Sequence, residues 1–230
     1  MITVVIPTLN SDQRLVAVMS ALVPGVINGL IKEVIVVDGG STNGDAEKLA
    51  EDGGARYIKS SRGRGSQLRN GAEAAKGNWL LFLHADTVLE PGWEVEVHSF
   101  MDRIYQGQRQ PSAAFFRFRL DDFGYMPRVM EFIVGLRCFL FALPYGDQGL
   151  LVPTALYKEL GGFKNLPLME DVDIVRRLGR RRLVMLRSGA VTSAKRYQRD
   201  GYVLRMLRNL SCLTLYYLRV PPRYISRIYG

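Results

Sequence analysis

Four short runs of apolar and β-branched residues recur early in the chain, at 2–7, 34–37, 55–59 and 79–83, and each stops at a small or polar cluster. Runs this short and this uniformly apolar read as strands buried on both faces. Between them lie spans with helical character at 14–22, 45–51 and 67–75, the first preceded by plausible caps at Asn10 and Ser11. Strand, helix, strand at this spacing predicts βαβ units, an α/β fold and a mostly parallel central sheet flanked by helices. Ligands of such sheets bind off the carboxyl ends of the strands. Those ends read Thr8-Leu9-Asn10, Asp38-Gly39-Gly40-Ser41, Arg62 to Gly65, and His84-Ala85-Asp86.

The second half is less regular. Residues 113–120 alternate phenylalanine with arginine and read as a half-exposed strand; 129–143 reads as a helix. Gly146-Asp147-Gln148-Gly149 is a turn before a strand at 150–152, and a helix at 154–160 stops at Gly161-Gly162. Another helix opens at 168–171. The last thirty residues read as an amphipathic helix to about Leu218, then Pro221-Pro222 and a basic tail. With no repeat or linker, the expectation is one domain over 1–230 with a basic amphipathic helical tail at about 199–230.

The best candidate for a spanning helix, 129–143, is broken by Glu131 and Arg137 and falls short of roughly 18 apolar residues. The amino end reads as a strand and not as a leader, so a cytoplasmic protein is expected. Cys138 and Cys212 are far apart and sit in apolar surroundings, which favours two buried thiols over a disulfide or a metal site.

Net charge is +9, unevenly spread. Residues 176–230 hold fourteen Lys/Arg and one acid, Asp200; the preceding 175 residues hold seventeen Lys/Arg and twenty-one acids. The basic quarter wants an anionic partner: a diphosphate or an anionic membrane face. Nucleic acid is not expected, because no zinc-finger spacing or RNA-binding aromatic signature accompanies the charge.

Several side chains suit chemistry at the strand ends. Asp38 can accept hydrogen bonds from a base or ribose, or cap an Asx turn. Arg62, Arg64, Gln67 and Asn70 surround a loop and a helix start, where arginines and backbone amides suit phosphate. Asp86 can hold a hard divalent cation that bridges a diphosphate. His84 can ligate such an ion, contact phosphate or be structural. Glu170-Asp171 opens a helix, where the dipole holds a carboxylate ionised and ready to take a proton, or where Asp171 caps the helix. The segment 80–88 also echoes the haloacid-dehalogenase phosphatases, but His84 stands where their nucleophilic aspartate is required.

Taken together the blocks resemble family 2 glycosyltransferases of the GT-A fold. The resemblance runs through Val5-Ile6-Pro7-Thr8-Leu9-Asn10, Val36-Val37-Asp38-Gly39-Gly40-Ser41-Thr42, the basic loop with Asn70-Gly71, His84-Ala85-Asp86 and Glu170-Asp171, in that order. Pro144 to Gly149, Pro167 to Asp171 and Pro221-Pro222 further resemble a compact bacterial subfamily associated with radical-SAM/selenoprotein-type gene neighbourhoods. The resemblance implies inverting, non-processive transfer of a sugar from a nucleotide diphosphate to an acceptor hydroxyl. It implies Asp171 and Glu170 as catalytic residues and Asp86 as the ligand of Mn²⁺ or Mg²⁺. It places Pro7, Thr8, Asn10, Asp38, Gly39, Arg62, Arg64, Gln67, Asn70, His84, Ala85, Asp147 and Gln148 around the substrates. A UDP-sugar is expected over a GDP-sugar, with a lipid-linked acceptor and peripheral membrane contact through the tail among the open possibilities. Two departures stand out: Gly39 replaces the family's second aspartate after the second strand, and His84 replaces the first aspartate of DxD. The alternatives are a sugar-phosphate nucleotidyltransferase and a non-catalytic, membrane-peripheral sugar-nucleotide-binding protein.

Overall fold

The computed structural model describes residues 1–10, 14–42 and 45–229. Its first half follows the sequence pattern closely. β1 (Ile2–Thr8), α1 (Arg14–Ile27), β2 (Ile31–Asp38), α2 (Asp45–Asp52), β3 (Arg56–Lys59), α3 (Arg64–Ala74) and β4 (Trp79–Phe82) come in that order. β5 (Thr87–Leu89) and α4 (Trp93–Tyr105) lead to β6 (Ala113–Asp121), α5 (Tyr125–Phe141), β7 (Leu150–Pro153) and α6 (Thr154–Glu159). α7 (Glu170–Leu178), β8 (Leu183–Ser193), α8 (Lys195–Asp200), α9 (Tyr202–Tyr217) and α10 (Pro222–Tyr229) complete the chain.

The eight strands form one sheet in the order β3-β2-β1-β4-β7-β6-β8-β5. β1 pairs in parallel with β2 and β4, and β2 in parallel with β3. Beyond β4 the sheet is mixed: β4–β7, β6–β7 and β5–β8 are antiparallel, and β6–β8 is parallel. The parallel expectation therefore describes one half of the sheet. Chain order reverses at β1, with β2 on one edge and β4 on the other, and that switch point is where a crevice opens at the carboxyl ends.

β1 is buried at every position. Ile2, Val4 and Ile6 pack with Leu15, Val18 and Leu22 of α1 and Trp93 of α4. Val5, one residue out of phase, packs on the other face with Leu68 of α3 and Val172 of α7. The strand period of two thus splits one apolar run between two helical layers. A third cluster sets Phe115, Phe118 and Leu120 of β6 against Met130, Val134 and Cys138 of α5. Cys138 and Cys212 are both buried free thiols.

Some boundaries differ from the sequence pattern. α1 runs on through Pro24 to Ile27, because Leu22 and Gly25 continue its buried face. There the Trp93 indole donates to the Ala21 carbonyl at 2.9 Å. Asn10 ties to the loop after β2: its backbone N–H donates to Ser41 Oγ at 2.7 Å and its Oδ1 accepts from Thr42 N at 3.0 Å. Ser11 lies outside the described residues. The expected basic tail after Pro221 is helical, as α10, with Ile225 buried in the core.

Gly71 shows how closely α3 lies on the sheet. A Cβ there would sit 2.3 Å from Val5 Cγ1 and 2.9 Å from Val37 Cγ2, below any van der Waals contact. Gly71→Ala is expected to cost about 1–3 kcal/mol by overpacking two buried β-branched residues. Urea denaturation would read this as a lower midpoint with an unchanged slope.

Candidate active site

The carboxyl ends of β1 and β4 open into a cleft of about 590 Å³. Pro7, Thr8 and Asn10 line one side. Arg64 and Gln67 come from the start of α3, and Arg62 from the loop just before it. His84, Ala85 and Asp86 follow β4, and Asp147, Glu170 and Asp171 arrive from the second half of the chain. The facing wall is built by Lys195 and Arg196 of α8, Arg205 and Asn209 of α9 and Tyr229 of α10.

Several of these side chains hold the architecture. Gln67 is buried, and its Nε2 donates to the carbonyls of Thr8 (2.7 Å) and Val37 (2.8 Å). It clamps together the ends of β1 and β2. Asp38 does not line the cleft. It is buried, and it accepts hydrogen bonds from Gly40 N, Ser41 N and Oγ, and the Tyr57 hydroxyl. Burial pushes its carboxyl up, but those bonds more than offset this and hold it below the ordinary range. The Asx-turn reading fits this geometry, and Gly39 lies buried beside it, under the Gln67 side chain.

Asn70 and Gln148, expected around the substrates, do not line the cleft. Asn70 Nδ2 donates to Ser60 Oγ at 2.8 Å. Gln148 is buried: Nε2 donates to the Phe116 carbonyl, and Oε1 accepts from Tyr145 N and from Arg137 Nη2, both at 3.2 Å. Every polar atom of that amide serves the strand–loop junction.

Four acids, Asp86, Asp147, Glu170 and Asp171, face the cleft beside its basic residues. Asp171 Oδ2 accepts from Gly146 N at 2.7 Å, and Oδ1 from Val172 N at 2.8 Å. It is the second residue of α7 and not its cap; that position is Met169, in the left-handed region at φ 68°. Glu170 is 1% exposed. Its Oε1 lies 3.3 Å from Arg64 Nη1 without hydrogen-bond alignment. Burial raises the Glu170 carboxyl, Asp171 adds to this, and Arg64 opposes it. His84 is held neutral: burial, then Arg64 and Arg196, lowers it well below the usual imidazole value.

The donor set suits a hard divalent cation. Asp86 and Asp147 offer carboxylate oxygens, and Asp147 Oδ1 and His84 Nε2 are buried without hydrogen-bond partners. No group of three or more ligating side chains converges among the described residues. That matches an ion taking one or two carboxylates and filling its sphere with phosphate and water, as Mg²⁺ does.

A model of the family described as "Glycosyl transferase family 2" matches residues 3–139, more than half the chain. The chain belongs to glycosyltransferase family 2. Curated relatives include the glucosyl-3-phosphoglycerate synthases of Mycobacterium tuberculosis H37Rv, 31% identical, and Mycolicibacterium paratuberculosis, 30% identical, each over 96 residues. Each match covers 38% of this chain and only 29% of the relative's length. A crystal structure of the M. tuberculosis enzyme with Mn²⁺, UDP and glucosyl-3-phosphoglycerate superposes with a TM-score of 0.65 at 23% identity, covering 96% of this chain and 81% of that one. "Crystal Structure of a Mycobacterial Protein" superposes at 0.58 and 21% identity, covering 84% and 65%. At such identity the superpositions establish the GT-A fold.

For a family 2 glycosyltransferase, the wall built by α8–α10 is the part that no motif announced. Lys195, Arg196 and Arg205 carried one signal only, the excess of positive charge after residue 176.

Asp147 gives a titration to follow. Burial pushes its carboxyl up from 3.8 to about 6; Arg137 opposes this, and Asp171 and Asp86 add to it. The folded state therefore holds this proton more tightly than the unfolded chain. The resulting stability is present in full below about pH 4 and is lost as pH rises through about 6. Asp147→Asn lacks that loss. Its stability relative to the parent is expected to rise between about pH 4 and 6 and then level off, as urea unfolding across that range would show.

Proposed function

We propose that this chain is an inverting, non-processive glycosyltransferase that moves a sugar from a nucleotide diphosphate to an acceptor hydroxyl. One observation carries the reading. Asp86 after β4, Arg62 just before α3, Arg64 at its start, and Asp171 at the start of α7 share one cleft at the switch point of the sheet. A phosphate-binding element, a metal-type carboxylate and a helix-start base come from separate parts of the sequence, and each suits one demand of the reaction.

The diphosphate lies against Arg62, Arg64 and the free amides opening α3, where the helix dipole favours an anion. Glu170 beside Arg64 sets the position of that guanidinium. Asp171, oriented by its two backbone N–H donors, takes the acceptor hydroxyl proton. The acceptor oxygen bonds to the anomeric carbon as the bond to the diphosphate breaks on the opposite face. Asp86, with His84 and Asp147 as neighbouring donors, holds a Mn²⁺ or Mg²⁺ ion, which when bound offsets the negative charge growing on the leaving diphosphate.

A UDP-sugar is the favoured donor, supported by the mycobacterial neighbour that binds Mn²⁺, UDP and glucosyl-3-phosphoglycerate. The reading takes 1–230 as one GT-A-like unit of the compact bacterial subfamily that its Pro144–Gly149 and Pro167–Asp171 segments resemble. It places the chain in the cytoplasm, with the basic tail able to meet an anionic membrane and a lipid-linked acceptor.

Asp171→Asn is expected to lower turnover of UDP-sugar by roughly 10²–10⁴-fold while leaving UDP binding intact, as loss of a general base does. Asp86→Ala is expected to lower turnover and also to abolish the Mn²⁺-dependent thermal stabilisation by UDP. Wild-type turnover in both variants would refute the assignment. Pyrophosphate release from a sugar phosphate and a nucleoside triphosphate would assign a nucleotidyltransferase instead, and UDP binding without turnover a non-catalytic protein.

A further inference from the structure

The helix α5 carries an apolar surface that the fold leaves uncovered. Phe132, Phe139 and Phe141 are 71%, 69% and 66% exposed, and Leu136 and Leu140 are exposed beside them. Positions 132, 136, 139 and 140 fall on one helical face, opposite the Met130, Val134 and Cys138 face packed on β6. Met206 of α9 packs against that same cluster, and Val203, Leu207 and Leu210 lie exposed on α9. The two helices therefore present neighbouring apolar stripes. A contiguous patch of large side chains is unusual on a surface that stays in water.

The charges around it are mostly positive, with Asp122 beside Arg128 and Tyr202 the exception. Arg180 donates to the carbonyls of Phe139 (3.1 Å) and Leu140 (2.9 Å), which fixes a guanidinium at the carboxyl end of α5. Arg128 stands near the amino end, half exposed. The one acid on α5, Glu131, is buried and ion-paired with Arg119 and Arg128. The segment after Gly201 contains no acid at all and five arginines. Two copies packed face to face would bring these arginines together. An anionic lipid surface instead accepts both the aromatic stripe and the cations. No described helix is long and apolar enough to cross a membrane, so such a contact lies on the bilayer.

We propose that the exposed faces of α5 and α9 form a docking surface for an anionic lipid bilayer. The sequence left membrane contact through the tail open. In the structure α9 and α10 give one side to the cleft, and the larger apolar face belongs to α5. This proposal stands apart from the transfer chemistry, since vesicle binding is read without substrate.

The full chain is mixed with phosphatidylcholine vesicles, with and without phosphatidylglycerol, and sedimented. Binding is expected to the anionic vesicles only and to weaken with added salt. The double variant Phe132→Ser/Phe139→Ser is expected to bind about tenfold more weakly or worse, because two exposed aromatic anchors are lost. A second variant, Phe139→Trp, reports insertion directly. Trp79 and Trp93 are the two tryptophans of the chain and are both buried, so a blue shift on adding vesicles comes from the new indole. Equal sedimentation of parent and double variant, or an unshifted indole, overturns the proposal. So does concentration-dependent dimerisation that the double variant abolishes while vesicle binding is absent, which assigns the face to a second copy.

Discussion

A strand that is paired at both edges and buried on both faces is free only at its end. β1 is such a strand: β2 and β4 flank it in parallel, and helical layers cover it above and below. Its carboxyl end must therefore emerge at one place, and Gln67 fixes that place by joining Thr8 and Val37 through a single amide. The loop after β2 is anchored in turn by Asp38, and Asn10 ties the loop after β1 to it. Along this side of the cleft these polar groups are spent on one another.

The opposite balance holds on the facing side of the cleft. Asp147 and His84 keep polar atoms without partners, and Glu170 meets Arg64 only loosely. Unsatisfied polar atoms in a buried setting are costly, and they persist where a ligand completes them. Four carboxylates in one cleft repel each other, which is part of why Asp147 and Glu170 titrate high. Arg64 lies among them as an internal counter-charge.

The strands and helices up to β4 were legible because each apolar run has one period and one ending. β8 was not, because Arg187-Ser188-Gly189 interrupts it. Its irregular backbone is satisfied from elsewhere, by Glu96 at Arg187 and Ser188 and by Glu90 at Gly189. α10 was hidden by Pro221-Pro222, although a proline is acceptable as the first helical residue. The site shows the same division. Asp86, Arg64 and Asp171 sit where strand ends and helix starts put them. Gln148 looked like a turn residue and is a buried bracket, since sequence does not show which way a polar side chain turns. Lys195, Arg196 and Arg205 were visible as charge without location.

α9 belongs to two surfaces at once. Arg205, Asn209 and Cys212 look into the cleft, while Val203, Leu207 and Leu210 face outward. Arg205 is locked from inside by its ion pair with Asp200 and its stack on Tyr229. A single helix cannot shift on one side alone. Whatever displaces it from the outside alters the wall seen from within, and occupancy of the interior resists or assists that displacement by an equal free energy. The two surfaces share a single rod, so a binding event that displaced it at one face would be felt at the other by the same free energy.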